Sequence, residues 1–469
     1  MFSRSIAAIQ WTFGTLVKKS VRAPLSKMAA GALIVCLLLG QATNAYAQSL
    51  IRDAELETYL RKMADPIFVT AGLEPENVRL YIVNDSSLNA FVAGGQNMFI
   101  HTGLLQRVEE PGQIAGVIAH ETGHIAGGHL ARLPDALKAA SAAMILSYIL
   151  GTAALIAGAG DAGIAILAGG QTAAQRAVLS YSRSQESAAD QAGLRYLEGA
   201  EESARGFAGF MEILADQEAL SSQRQDPYVR SHPLSRERVS ALNAGAEASP
   251  YFAQQPTEEE VQELKMLQAK LKGFLDKPAA VFRAFPPEDK SLPARYARAV
   301  AYHRTADLHN AIEELKVLTD ADPDNPYFAE LAGQVLFESG LIEESIPAHR
   351  AAVELAPEQP LLKINLAQSL VAAERPDYDE EARQLLDAAL RQEKDIPMAW
   401  HQLAIVHARN NEPGMASLAS AERYALVGAM GLAMQQAQRA LNFLPAGSPG
   451  ALRAEDIVAE ISYVASQQR

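Results

Sequence analysis

Beyond residue 52 the apolar positions follow several rhythms, and each predicts a different element. In DAELETYLRKMADPIFVTAGL, Leu56, Leu60, Met63 and Ile67 recur at helical spacing, which predicts a helix with one face on a core. The following VRLYIVNDSSLNAFVAGGQNMFIHTGLL alternates apolar residues, turns at Gly94 and Gly95 and resumes, which predicts two or three short antiparallel strands. Residues 111 to 132 return to a helical pattern, as do 176 to 218, and SSQRQDPYVRSHPLS after them reads as a polar loop. Between those helices, residues 139 to 160 carry no charge, and a second apolar run, AGIAILAGG, follows Asp161. Many glycines and alanines weaken 139–170 as a membrane span, so two readings stay open: helices lying on a membrane surface or over the core, and true spans.

Farther on, the pattern becomes periodic. Thr257 and Glu260 form a capping box that opens the helix EEEVQELKMLQAKLKGFL after a boundary near residues 249–257. From Leu292 the chain repeats with the 34-residue tetratricopeptide period, aligned on Pro323 and Pro357. Ala299, Tyr302, Ala311 and Leu315 take the packing positions of the first repeat, and Gly333, Leu336 and Ala352 those of the second. Looser third and fourth repeats begin near Pro360 and Met398, with Ala367, Leu370, Ala382 and Leu386 in one and Trp400 and Leu403 in the other. Stacked helix pairs of this kind present an extended surface to protein segments.

The first 47 residues follow a separate logic. They hold Arg4, Lys18, Lys19, Arg22 and Lys27 but no acidic residue, then AAGALIVCLLLG, then Ala45, Tyr46 and Ala47, the pattern of a secretory signal peptide. A single N-terminal anchor is the other reading of this stretch, although its apolar run is short for a span. The chain divides accordingly into a leader at 1–47, a first folded domain at 48–250, a helical linker at 251–291 and repeats at 292–469.

Composition narrows the chemistry. The formal net charge is −14, and removal of the basic leader would make the protein still more acidic, which argues against nucleic acid as a partner. The single cysteine, Cys36, lies in the leader, so a metal in the mature protein would have nitrogen and oxygen ligands. Export and the lack of cysteine suggest a bacterial periplasm, with membrane-surface contact an open possibility for 139–170.

Residues 120–129, HETGHIAGGH, concentrate the candidate chemistry. Four residues apart on a helix, His120 and His124 share a face and can share one ion, while Glu121 lies beside the same opening. This H-E-x-x-H spacing is that of zinc peptidases, in which the glutamate acts as general base. A catalytic zinc needs a third protein ligand. His129 is expected to point away if the helix continues, and so to make a structural hydrogen bond instead. In SYSRSQESAAD, Glu186 and Asp190 share a face, the first placed to bind zinc and the second to orient a ligating histidine. His232 and Arg236 in SHPLSR are candidate donors to a developing oxyanion. His232 has a second reading, as an occupant of the open metal position that keeps the protease silent.

HETGH, SRSQESAAD and SHPLSRERV together resemble the M48 family of zinc metallopeptidases, and Asn89, Ala90 and Phe91 match the N-A-F of its strand region. The likeness covers residues 52 to about 245, with the repeats beyond. It implies a mainly α fold with a small β-sheet, a zincin-type metallopeptidase domain followed by an α-solenoid. It also implies Zn²⁺ on His120, His124 and Glu186, Glu121 as the catalytic glutamate, and Asp190 behind the ligands. Its implied role is an exported endopeptidase acting on misfolded envelope proteins, with outer-membrane β-barrel proteins and their assembly machinery as substrates or partners. Two alternatives are a chaperone or assembly factor that rarely cuts, and a membrane-bound processing protease.

Overall fold

The computed structural model describes residues 50–129, 131–132, 147, 182–218, 228 and 232–467. The leader and nearly all of the apolar segment 139–170 lie outside the described residues. Among the described residues no helix is long and apolar enough to cross a membrane.

Strand β1 (Leu50–Ile51) leads into α1 (Ala54–Thr70), whose first turn is fixed by the Asp53 side chain accepting from the Leu56 amide. Leu56, Leu60 and Ile67 are buried, as their spacing predicts. Strands β2 (Arg79–Val83), β3 (Ala90–Ala93) and β4 (Asn97–His101) complete a sheet of order β1-β2-β4-β3. The β3–β4 hairpin turns through Gly94 and Gly95, both at positive φ. The expectation of an entirely antiparallel sheet needs one correction. Strands β2 and β3 run in opposite directions but are not neighbours, and β4 fills the space between them, pairing antiparallel with β3 and parallel with β2.

After α2 (Thr102–Arg107) comes α3 (Pro111–Ala126), started by proline at a first-turn position where no amide partner is lost. The described part of α4 is residues 182–199; α5 (Arg205–Glu218) and α6 (Arg236–Ala248) follow. Their apolar faces join α1 and the sheet in one core containing Phe68, Ile100, Ile118, Phe207 and Leu242.

The expected capping box opens α7 (Glu258–Leu275), with both reciprocal bonds between Thr257 and Glu260 present. This helix packs in two directions. Leu264, Leu267 and Leu271 enter the first core, whereas Met266 joins Tyr296 and Phe328 in the core of the first repeats. Lys270, only 2 % exposed, lies 2.7 Å from Asp53 Oδ2 and 3.0 Å from Glu55 Oε2, and Tyr296 donates to Glu55 at 2.6 Å. The α1 terminus, α7 and the repeats thus meet at a buried charged junction.

Following the short α8 (Pro278–Ala284), five helix pairs form the solenoid: α9 (Leu292–Arg304) with α10 (Leu308–Ala321), α11 (Pro326–Glu338) with α12 (Ile342–Leu355), α13 (Pro360–Ala372) with α14 (Asp379–Gln392), α15 (Pro397–Arg409) with α16 (Pro413–Leu426), and α17 (Met430–Leu441) with α18 (Pro449–Gln467). Ala299, Ala311, Gly333, Ala352, Ala367 and Ala382 are buried where the paired helices meet. A 3-10 turn at Pro376–Tyr378 lengthens the third repeat, which is why its sequence pattern is loose.

Candidate metal centre

Helix α3 is enclosed on nearly every side, with 13 of its 16 residues buried. Glycines permit this. A Cβ at Gly116 would lie 2.6 Å from the Phe207 Cα of α5, and one at Gly123 would lie 2.9 Å from the Ala189 Cα of α4. Only a hydrogen at these positions lets the neighbouring backbones come so close. The Gly123–Ala189 contact lies between the His120/His124 turn and the Glu186/Asp190 turn, and it brings the two pairs face to face.

His120, His124, Glu186 and His232 converge there, all buried. Nε2 of His120 is 3.2 Å from Nε2 of His124, 3.3 Å from Nδ1 of His232 and 3.5 Å from Glu186 Oε2. His232 Nδ1 is 3.1 Å from Glu186 Oε2, and His124 Nε2 is 3.5 Å from Glu186 Oε1. One imidazole nitrogen has at most one proton and cannot make hydrogen bonds to all of these neighbours. These five separations lie near the edge length, about 3.4 Å, of a tetrahedron with metal–ligand bonds of about 2.0–2.1 Å, Glu186 facing His124 through one oxygen and the other two rings through its second. The donor set therefore fits a tetrahedral cation such as zinc, with nitrogen and oxygen ligands only.

The four donors set one another's charge state. Burial lowers the basicity of His120, but Asp190 and Glu186 more than offset it and raise its pKa to about 10. Against the upward push of burial, His120 and His232 hold Glu186 well below the usual carboxylate range. Burial and the adjacent His120 lower His124 to about 2, which leaves it neutral with a lone pair to offer.

Around the donors, the far nitrogen of His120, Nδ1, lies 3.0 Å from Asp190 Oδ1. Asp190 in turn accepts from Arg238 Nε at 2.7 Å and Nη2 at 2.8 Å, while Arg238 Nη1 reaches Glu186 at 3.1 Å and donates to the Pro233 carbonyl at 2.8 Å. Burial also raises the pKa of Glu121, and neither of its carboxylate oxygens has a hydrogen-bond partner among the described residues. His232 Nε2 is 3.4 Å from one of those oxygens, and the Tyr228 ring lies against His232 with centroids 4.4 Å apart. Glu121 is thus a buried carboxylate with free acceptor capacity beside the donor cluster.

Two expectations are corrected. Arg236 is exposed on the first turn of α6, and it is Arg238 that enters the site. The missed signal was periodicity, because Arg238 shares a helix face with buried Leu242 and Ala246 whereas Arg236 does not. His129 makes the structural hydrogen bond expected of it, but it does not point away. Helix α3 ends at Ala126, Gly128 adopts φ +61°, and His129 returns to place Nδ1 2.9 Å from Nδ1 of His124.

The sequence pattern of Peptidase family M48 matches residues 51–246. The chain is similar to the beta-barrel assembly-enhancing protease of Escherichia coli (strain K12), with 25% identity over 402 residues, 85% of this chain and 81% of that protein. It is similar to the protein of the same name from Yersinia pestis, with 26% identity over 390 residues, covering 81% of this chain and 78% of the relative. Metalloprotease YcaL of Escherichia coli (strain K12) is 30% identical over 186 residues, 39% of this chain and 67% of that protein.

Proposed function

The chain belongs to peptidase family M48, and we propose that it is an exported, zinc-dependent endopeptidase that removes misfolded or stalled envelope proteins, its repeats binding the substrate or the assembly machinery. Zn²⁺ would be held by His120, His124 and Glu186, and when bound it supplies a Lewis acid that polarises a peptide carbonyl and acidifies water. The observation that carries this reading is the convergent cluster of buried donors with the Glu121 carboxylate beside it. Glu121 takes a proton from the attacking water and delivers it to the leaving amine. Asp190, held by Arg238, fixes the tautomer and orientation of His120. The role in outer-membrane protein quality control in the periplasm is taken from the names of the relatives and from the basic, apolar leader pattern. Membrane-surface contact through 139–170 belongs to the same proposal.

His232 supports the silent-protease reading. A catalytic zinc keeps one ligand position open, and a fourth protein donor closes it. With Nδ1 within 3.3 Å of His120 Nε2 and 3.1 Å of Glu186, His232 takes the fourth corner, so substrate must displace it before cleavage. His232→Ala should raise basal cleavage of an unfolded protein several-fold; an equal or lower rate with full metal content would refute the closed state.

The same closed arrangement gives weight to the second reading, an assembly factor that rarely cuts. Glu121→Gln separates the two. Cleavage should fall about 10²- to 10⁴-fold with zinc retained, and trapped substrates can then be identified. If the variant supports every envelope function of the native protein, proteolysis is not its main role.

A further inference from the structure

We propose that His129 is a positioning residue for the metal centre, holding His124 in the tautomer that directs its lone pair at the ion; the inference rests on reading His120, His124 and Glu186 as ligands. Nε2 of His124 faces the other donors, 3.2 Å from His120 Nε2. To coordinate through Nε2, His124 must carry its proton on Nδ1. The neighbour of that nitrogen is Nδ1 of His129 at 2.9 Å, and it must be the acceptor. His129 is therefore fixed with its own proton on Nε2. The rings meet edge to face, with centroids 4.9 Å apart and an interplanar angle of 83°, so the two nitrogens approach in line rather than through stacked faces.

The ligand pair is then supported twice. His120 is held from behind by an anion, Asp190, at 3.0 Å, and His124 by an imidazole. Without such a partner a ligating histidine can rotate or shift its proton to the coordinating nitrogen, and either change weakens the site.

Delivery of His129 depends on the two glycines before it. Were α3 to continue, His129 would be displaced about 140° from His124 around the helix. Instead the helix stops at Ala126, the Gly128 amide bonds back to the Ile125 carbonyl at 3.0 Å, and the left-handed φ of Gly128 reverses the chain. The His129 ring then occupies the space where a side chain on Gly127 would begin. A Cβ there would lie 2.4 Å from its Nε2 and 2.8 Å from its Cδ2. In AGGH, the glycines thus bring a third histidine back to orient the second.

The test measures metal binding rather than proteolysis. Zinc affinity of the full chain is determined by competition with a chromophoric chelator, and the visible spectrum of the Co²⁺ form reports ligand geometry. His129→Leu, which removes the acceptor, should lower affinity 10- to 100-fold and change the Co²⁺ bands. His129→Asn places an oxygen where Nδ1 was and should stay within a few-fold of the native protein. Gly127→Ala keeps His129 but displaces its ring and should behave like His129→Leu. A Leu variant that binds as tightly as the native chain overturns the proposal, as does an Asn variant as weak as Leu. If His129→Leu does not fold, the Gly127→Ala and Asn pair decides in the same way. Failure of the native chain to bind one zinc would instead refute the ligand reading itself.

Discussion

Gly123 in α3 and Gly333 in α11 do the same job in surroundings that differ. Each lets a second helix come closer than a side chain would allow, and a Cβ on either would overlap its neighbour. Around Gly123 the neighbour is the Ala189 backbone, and α3 is buried over most of its surface. Around Gly333 the neighbour is the ring of His349, and only four of the 13 residues of α11 are buried. Side chains that must converge in a fixed geometry need support from several directions, which this domain achieves by placing a helix at its centre. A binding solenoid needs the opposite, helices buried along one stripe with the rest free for partners.

The largest effect should come from Gly123→Val. The new side chain meets a backbone that cannot move without separating α3 from residues 182–199, and overpacking of this kind costs about 1–3 kcal/mol or more. Glu186 and Asp190 would then leave His120 and His124 together, so zinc content and proteolysis should be lost along with stability. The repeat counterpart, Gly333→Ala, overlaps the buried His349 ring, with its Cβ 2.3 Å from Cδ2 and 2.7 Å from Cγ, and should cost about 1–3 kcal/mol with the zinc stoichiometry unchanged. Metal analysis beside thermal unfolding of both variants checks the contrast; loss of zinc from Gly333→Ala would break it.

How much of this was legible in the sequence follows from the range of the interactions. Helical spacing relates residues a few positions apart, so His120 with His124, Glu186 with Asp190, and the Thr257 capping box could be read directly. Repeats are legible for the same reason, since each unit packs mainly on its neighbours, and α9, α11 and α13 begin at Leu292, Pro326 and Pro360 as the period requires. The pairing of Arg238 with Asp190 bridges 48 positions and is specified by no local pattern, although the face shared with Leu242 pointed to the right arginine. The return of His129 was hidden by treating Gly127 and Gly128 as helix. The parallel pairing of β2 with β4 depends on which strand fills a gap, which alternation cannot encode. The fifth helix pair also went unread.

A smaller effect sharpens the comparison from the repeat side. His349 is 3 % exposed, with Nδ1 2.8 Å from the Ser369 hydroxyl, and burial lowers its pKa to about 4. In the unfolded chain the same ring titrates near 6.5. Between these values the unfolded state binds a proton that the folded state refuses, so stability is full above about pH 6.5 and declines as pH falls toward 4. The total loss from this one group is at most about 3 kcal/mol. His349→Asn places an amide oxygen where Nδ1 was, so it keeps a partner for Ser369 but cannot titrate, and the stability difference between native protein and variant, measured by denaturant unfolding from pH 7.5 to 4, should shift toward the variant as the solution becomes acidic. A difference independent of pH would mean that the ring gains its proton without cost, and that this part of the solenoid is more open to water than the buried stripe between α12 and α13 implies.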